Sequence, residues 1–403
     1  MVLLLAAIAA VPGIARAQLN VRLAGVGGWQ YNSNVYAVQS GYPVPGTNSY
    51  HYSDTYYSYG GQLALDETIS QQNFFINAGL TRFVYDYFSN LTHNEYAIDG
   101  GWNWKFGNNW DGRIEVVHDR TMVAFTEIVQ LEIAFATEQR YSALVGYQLM
   151  PEWRLEVSGY NRKVDEPLFD EPNLQLVESS GTLAVKYGGP SALTSGMAGS
   201  YSHGNYTGVS TNPEAIPFFD YDQKTISLTA VYKPSTTTGL GISGVSTFDG
   251  AIGYSDRSSP SNGSNIGGLT GHLDYINQIT GKTSARIAVE RVINNFLTNA
   301  ASEIDTSVLL SATWQATYRI GVSPAYTWLH RFLPDQGFEP GTNRTDNLQY
   351  AALSVTYQPR PWLSIRPYFD FQTRSSNYPG GNFNATVYGI NFTLAWQHPP
   401  PTP

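Results

Sequence analysis

Apolar and polar residues alternate through most of this chain in segments of about ten to sixteen residues, the period of strands whose two faces meet different surroundings. The last segment shows it most fully: Tyr388, Ile390, Phe392, Leu394 and Trp396 share one face, and Gly389, Asn391, Thr393 and Ala395 share the other. Leu363, Ile365, Pro367, Phe369 and Phe371 alternate in the same way with Ser364, Arg366, Tyr368, Asp370 and Gln372. Ile226, Leu228, Ala230 and Tyr232 alternate with Ser227, Thr229 and Lys233. A wall with lipid on one side and water on the other requires this pattern. It predicts an all-β fold, a transmembrane antiparallel up-and-down β-barrel of about 18 strands, with 16 as the alternative.

Energetics sets the facing, because an Arg or Lys at the lipid midplane costs about 2–4 kcal/mol. The candidate lumen-lining residues are therefore Asp66, Asp99, Arg113, Glu115, Arg154, Glu156, Tyr160, Arg286, Glu290, Arg366, Tyr368 and Asp370, with Ile114, Leu155, Ile287 and Ile365 toward lipid. Trp102, Trp104, Phe106, Trp153, Trp314, Tyr357, Trp362 and Trp396 lie close to short turns, as an aromatic girdle on the periplasmic side requires. Turns are expected at 70–72, 107–109, 150–152, 189–191, 234–236, 280–282, 316–317 and 359–361. Longer connections, rich in Gly, Pro, Asn, Ser and Asp, are expected at 39–54, 121–137, 165–175, 207–219, 255–264 and 333–344, on the extracellular side.

A chain of 403 residues would ordinarily divide into soluble domains, but no linker or composition shift divides this one, and a barrel grows by adding strands to one sheet. Ahead of the expected barrel (18–398), Leu3 to Ile14 is an apolar run followed by Ala15-Arg16-Ala17, which reads as a signal peptide over 1–17, although no Lys or Arg precedes the run. A Pro-rich tail occupies 399–403. The chain has no cysteine, which excludes disulfide scaffolds, thiolate nucleophiles and cysteine-bound zinc. A formal charge of −9 without a Lys/Arg cluster argues against nucleic acid as a partner.

Catalytic chemistry is sparse. Gly281-Lys282-Thr283 has the ending of a phosphate-binding loop, but Ile276 stands where that motif needs its first glycine, and a turn is expected where it needs a helix. No Gly-x-Ser-x-Gly or His-Glu-x-x-His occurs. His118 with Asp119, and His272 with Asp274, are the acid–base or metal pairs that could be built; a solvated wall position is the plainer reading of each histidine. No catalytic, metal or cofactor site is assigned and no cofactor is expected. The lumen candidates suit a hydrated interior, where carboxylates, guanidinium groups and tyrosines could bond and stack on sugar rings or merely keep the wall wet.

The sequence resembles the EpsL-type outer-membrane proteins encoded with exopolysaccharide biosynthesis genes, within the class of β-barrel porins. The resemblance is carried by Trp29-Gln30-Tyr31-Asn32-Ser33-Asn34-Val35, by Asp66 to Gln72, by Leu80 to Phe88, by His118-Asp119-Arg120-Thr121 and by Arg374-Ser375-Ser376-Asn377. Asn32 stands where that family commonly has Asp. The resemblance implies an outer-membrane location and a part in exopolysaccharide export. The expected partners are a polysaccharide chain, periplasmic polysaccharide-synthesis proteins, the outer-membrane assembly machinery, and outer-membrane lipid and lipopolysaccharide. Three rivals stand beside export. The first is a general or small-solute porin narrowed by an inward loop at 121–137, bearing Glu127 and Glu132 and bordered by Glu138. The second is a plugged barrel whose loops bind polymer or cells, and the third is a barrel hydrolase using His118 or His272.

Overall fold

The alternating segments become strands of one closed sheet. The computed structural model describes residues 18–44, 48–126, 134–165, 174–188, 192–208, 220–233, 245–259, 265–295, 302–334 and 341–398. In chain order the strands are β1 (Gln18–Asn32), β2 (Asp54–Ile69), β3 (Gln72–Tyr85), β4 (His93–Phe106), β5 (Trp110–Met122), β6 (Phe135–Gln148), β7 (Trp153–Asp165), β8 (Gln175–Gly188) and β9 (Leu193–Thr207). They continue as β10 (Tyr221–Tyr232), β11 (Val245–Ser258), β12 (Asn265–Thr280), β13 (Thr283–Asn295), β14 (Ser302–Gln315), β15 (Ile320–Leu333), β16 (Arg344–Arg360), β17 (Leu363–Ser376) and β18 (Phe383–His398). Each strand pairs antiparallel with its neighbours in sequence, and β1 pairs with β18 from Val21↔His398 to Asn32↔Val387, so the 18-stranded sheet has no free edge. Closure satisfies every strand's backbone groups, which a wall in lipid requires.

Cross-strand partners share a face, so the registers carry one facing rule round the ring. The exposed large apolar residues Leu23, Leu80, Ile98, Ile114, Val157, Leu183, Ile226, Leu228, Ile252, Leu269, Leu310, Leu353 and Phe392 all fall on the outward face. An outer surface of this kind is stable in hydrocarbon and not in water. No helix among the described residues is long and apolar enough to cross a membrane; this wall crosses with strands. Alternation of exposure is regular even along Gly- and Ser-rich β9.

Short connections gather at one end, here the turn end, and longer ones at the other, the loop end. The expected girdle residues all stand at the turn end, joined by Trp110 against Tyr147 at 4.4 Å. From Trp110 to Arg120 the tilted strand rises about 25 Å, the height of a hydrophobic belt.

Several connections differ from the sequence reading. The stretch 255–264 is strand as far as Ser258, because Ser255 and Arg257 point inward with good partners, and only 259–264 connects β11 to β12. The expected 39–54 loop begins at Ser33. The expected 121–137 loop shrinks to 123–134, since the ladder holds Met122↔Phe135. The signal-peptide segment 1–17, the tail 399–403, the turns at 189–191 and 234–236, and Glu127 and Glu132 lie outside the described residues.

Candidate functional site

The inward face of the barrel is the candidate site. All twelve candidate lining residues stand on this face, opposite the apolar band. The register does not gather them into one cluster. Toward the turn end, Arg154 makes a bidentate pair with Asp111 at 2.6 and 2.7 Å and bonds Glu156 at 2.7 Å, and Lys186 reaches Glu156 at 2.5 Å. This chain of charges runs from β5 to β8 across β6, and Gly146 permits the crossing, since a Cβ there would lie 1.9 Å from the Arg154 guanidinium. In the neighbouring sector Asn73 donates to Asp66 at 3.0 Å, Asn77 donates to Asp99 at 2.8 Å, and Arg113 donates to Glu115 at 2.7 Å. Arg286 forks onto Asp274 at 2.9 and 2.7 Å, and Arg366 donates to Ser354. Tyr368 donates to Gln30, which in turn bonds Tyr56. Glu290 is exposed opposite His272, and Asp370 is half-buried on β17.

The histidine pairs of the sequence reading are not pairs. Neighbours in a strand point to opposite faces, so His118 lies outward beside Tyr96 (3.0 Å) while Asp119 lies inward across from Glu138. His272 approaches Asp249 at 3.4 Å, while Asp274 is held by Arg286. Gly281 and Lys282 form the tight turn between β12 and β13. Among the described residues no cluster of His, Asp and Glu could hold a metal ion.

The loop end has two unlike sectors. In the first, from β17 round to β6, the β1–β2 connection turns inward. Asn34 is the clamp: its amide bonds the Val38 carbonyl (2.8 Å) and the Asn384 carbonyl (3.1 Å), and its oxygen accepts from the Val38 amide (3.0 Å). These bonds hold Ala37 in the left-handed region at φ 51°, and they carry Val35, Tyr36 and Val38 into a buried apolar cluster with Val44, Phe88, Leu91, Phe125 and Phe383. The Tyr36 ring lies 4.9 Å from Phe88, edge-on, and 4.6 Å from Phe125; burial pushes its phenol pKa up. Asp54 accepts from the Tyr87 and Phe88 amides, which fixes the β3–β4 connection beside it. Arg374, on β17, donates to the Thr126 carbonyl at 3.0 Å. Thr126 follows β5, and β18, β1, β2, β3 and β4 intervene along the wall, so this contact spans the mouth.

The second sector, from β7 to β16, is built of charge. Arg162 bonds Glu138 at 2.9 Å, and Tyr160 donates to Glu178 at 2.9 Å. Arg331 pairs with Glu303 (2.9 Å) and Asp305 (3.2 Å), and Arg344 with Asp346 (2.6 Å). Arg257 lies over the Tyr221 ring at 4.2 Å and donates to Gln223 and to the Ile293 and Asn294 carbonyls. Tyr160, Arg162, Glu178, Arg257, Glu303, Asp305 and Arg331 line a cavity of about 550 Å³, and the Arg344–Asp346 pair lies outside its lining. Sequence reading missed most of them. Arg257 falls in the stretch 255–264 that the sequence pattern marks as a loop, whereas the Glu303/Asp305 alternation on an inward face is a legible signal.

No protein-family model and no curated protein matches the sequence. Solved structures of similar form include OpdK of Pseudomonas aeruginosa with vanillate, with 10% identity, 93% of this chain and 99% of that chain covered, and a TM-score of 0.46. They also include OccAB2 of Acinetobacter baumannii, with 11% identity, 94% and 98% covered, and a TM-score of 0.49. OccK9 of P. aeruginosa gives 9% identity, 94% and 98% covered, and a TM-score of 0.48. Nothing about solutes follows from likeness at this level.

Proposed function

We propose that this chain is an outer-membrane channel through which small polar solutes diffuse passively. A closed ring of 18 strands leaves an aqueous interior, and its inward face is lined by charges that are paired yet wet. The observation that carries the small-solute reading is the bond from Arg374 to the Thr126 carbonyl, together with the Tyr36–Phe125 contact: a chain segment lies across part of the mouth and narrows it. The energy source is the solute gradient. Reconstituted into planar bilayers, the full chain should give stable ohmic conductance, and liposomes carrying it should swell in small sugars and amino acids but not in oligosaccharides; a silent bilayer would sink the reading.

Export of an exopolysaccharide is the second reading, supported by the width of an 18-stranded ring and by the resemblance at Trp29 to Val35. Within that motif Ser33 and Asn34 anchor the loop, bonding Thr386 and Val38, so architecture accounts for part of the likeness. Polysaccharide in the medium and periplasm of a deletion strain separates the two: retention inside favours export, and unchanged secretion leaves the diffusion channel.

A further inference from the structure

On the outer wall, Leu394, Gly25, Gly61, Leu80, Tyr96 and Arg120 are successive cross-strand partners from β18 through β1, β2, β3 and β4 to β5. Strands in a closed barrel tilt, so a row of partners climbs the wall obliquely. This one starts beside the turn-end girdle and ends at the loop-end interface. The row below it runs from Trp396 to His118, and the row above it brings Tyr59, Arg82 and Asn94 together. An apolar groove of about 870 Å³ follows these rows, flanked by Trp362 and Trp396 low on the wall and by Tyr96 and Ile98 at its upper end.

Its floor is open because two glycines leave it so. A Cβ on Gly25 would meet nothing within 4 Å, and one on Gly61 only a carbonyl at 3.9 Å. Backbone crowding does not demand glycine at either place, unlike Gly60, where a Cβ would lie 2.1 Å from the Leu80 carbonyl oxygen. At the upper end the chemistry changes sign. Arg82 donates to the Asn94 side chain at 3.1 Å and Arg120 to the Asn94 carbonyl at 3.2 Å, so one residue holds two guanidinium groups together, with His118 and Tyr96 beside them. Among the described residues neither arginine has an ion pair. Glu95, whose charge reaches Arg120, is engaged by His93 and the Met122 amide on the inward side. Elsewhere near this height three outward cations face carboxylates: Lys163 meets Asp165 at 3.3 Å, His203 meets Asp222 at 3.0 Å, and Lys224 lies across from Asp256; Arg291 instead donates to the Leu269 carbonyl and the Thr306 hydroxyl and stands without a second guanidinium beside it.

We infer that this sector binds one phosphorylated lipid of the leaflet at the loop end, its acyl part along the groove and its phosphate between Arg82 and Arg120. Planar guanidinium groups at headgroup height match phosphate oxygens, and an open apolar channel leading away from them matches hydrocarbon. The site lies on the membrane face and does not depend on the channel reading.

The test uses the full chain in dodecyl maltoside micelles, with native mass spectrometry and a bisphosphorylated acylated disaccharide lipid as the probe. Wild type should retain one probe molecule. The R82S/R120S double variant should bind about 30-fold more weakly, at about a factor of five per arginine. G25L/G61L should lose binding with both arginines intact, and the dephosphorylated probe should bind as poorly as R82S/R120S binds the phosphorylated one. Millimolar inorganic phosphate should not displace the lipid. Equal retention by wild type and R82S/R120S, or equal binding of the dephosphorylated probe, overturns the proposal; displacement by phosphate alone overturns it in favour of a free anion site. Should G25L/G61L fail to fold by heat-modifiable mobility, the arginine pair still decides. Conductance of R82S/R120S should equal that of wild type, so a failed lipid site and a failed channel give different results.

Discussion

The two sectors of the loop end close the same wide mouth by different physics. Between β17 and β6 the β1–β2 connection folds inward and buries its apolar side chains against those of the β3–β4 connection, with Leu91 of the latter fully buried and Val44 of the former nearly so. Between β7 and β16 the wall carries buried charges, Arg331 with Glu303 and Asp305, and Arg344 with Asp346. Apolar burial is non-directional and can be carried by a segment that leaves the wall as one unit. Buried charge demands matched partners at fixed distances, so it is written into the strands. On the proposed channel reading, the first sector sets how wide the mouth is, and the second sets the charge that a solute meets there.

The largest effect should come from removing the first device entirely. Replacing residues 35–51 by a short Gly/Ser link leaves the ladder intact to Asn32↔Asp54 and should raise single-channel conductance several-fold. Unchanged conductance would mean that the inward loop does not obstruct the path, and the comparison would break. Next comes the charged sector. Arg331→Met leaves Glu303 and Asp305 buried without that guanidinium and should cost about 3–5 kcal/mol, with ion selectivity shifting toward cations; Arg374→Met in the apolar sector, which loses bonds to the Thr126 and Gly381 carbonyls, should cost about 1.5–3 kcal/mol. Thermal mobility shifts and reversal potentials read both, and a larger cost at Arg374 would invert the assignment. The smallest effect is at Ala37, where φ of 51° strains an L-residue: Ala37→Gly should stabilise the loop by no more than about 1 kcal/mol, seen as slower amide exchange at Val38 and Val44. Faster exchange would show that the Asn34 clamp does not carry the strain.

Alternation was legible wherever an apolar face meets lipid, because the penalty for a misplaced charge there is large and local. Leu363 to Gln372 and Tyr388 to Trp396 needed nothing else, and the inward facing of residues such as Arg154 and Arg286 followed from the same rule. It blurred where glycine and serine replaced apolar residues, as in β9 and β11, and there Arg257 was misplaced. The turn-end girdle was visible because Trp and Tyr crowd short turns. Ser33 to Val38 carried no such mark, since an apolar run beside a strand end does not say which way it will fold.

The sequence by itself determined a barrel wall, because the strand period and the cost of charge in hydrocarbon act residue by residue. Only the tertiary structure decided which neighbours share a row: that Gly146 lets Arg154 cross β6, that Arg374 meets Thr126 over the mouth, and that Gly25 and Gly61 floor an oblique groove with Arg82 and Arg120 next to its upper end. Register and strand tilt join residues far apart in the chain, and neither is a property of any one segment.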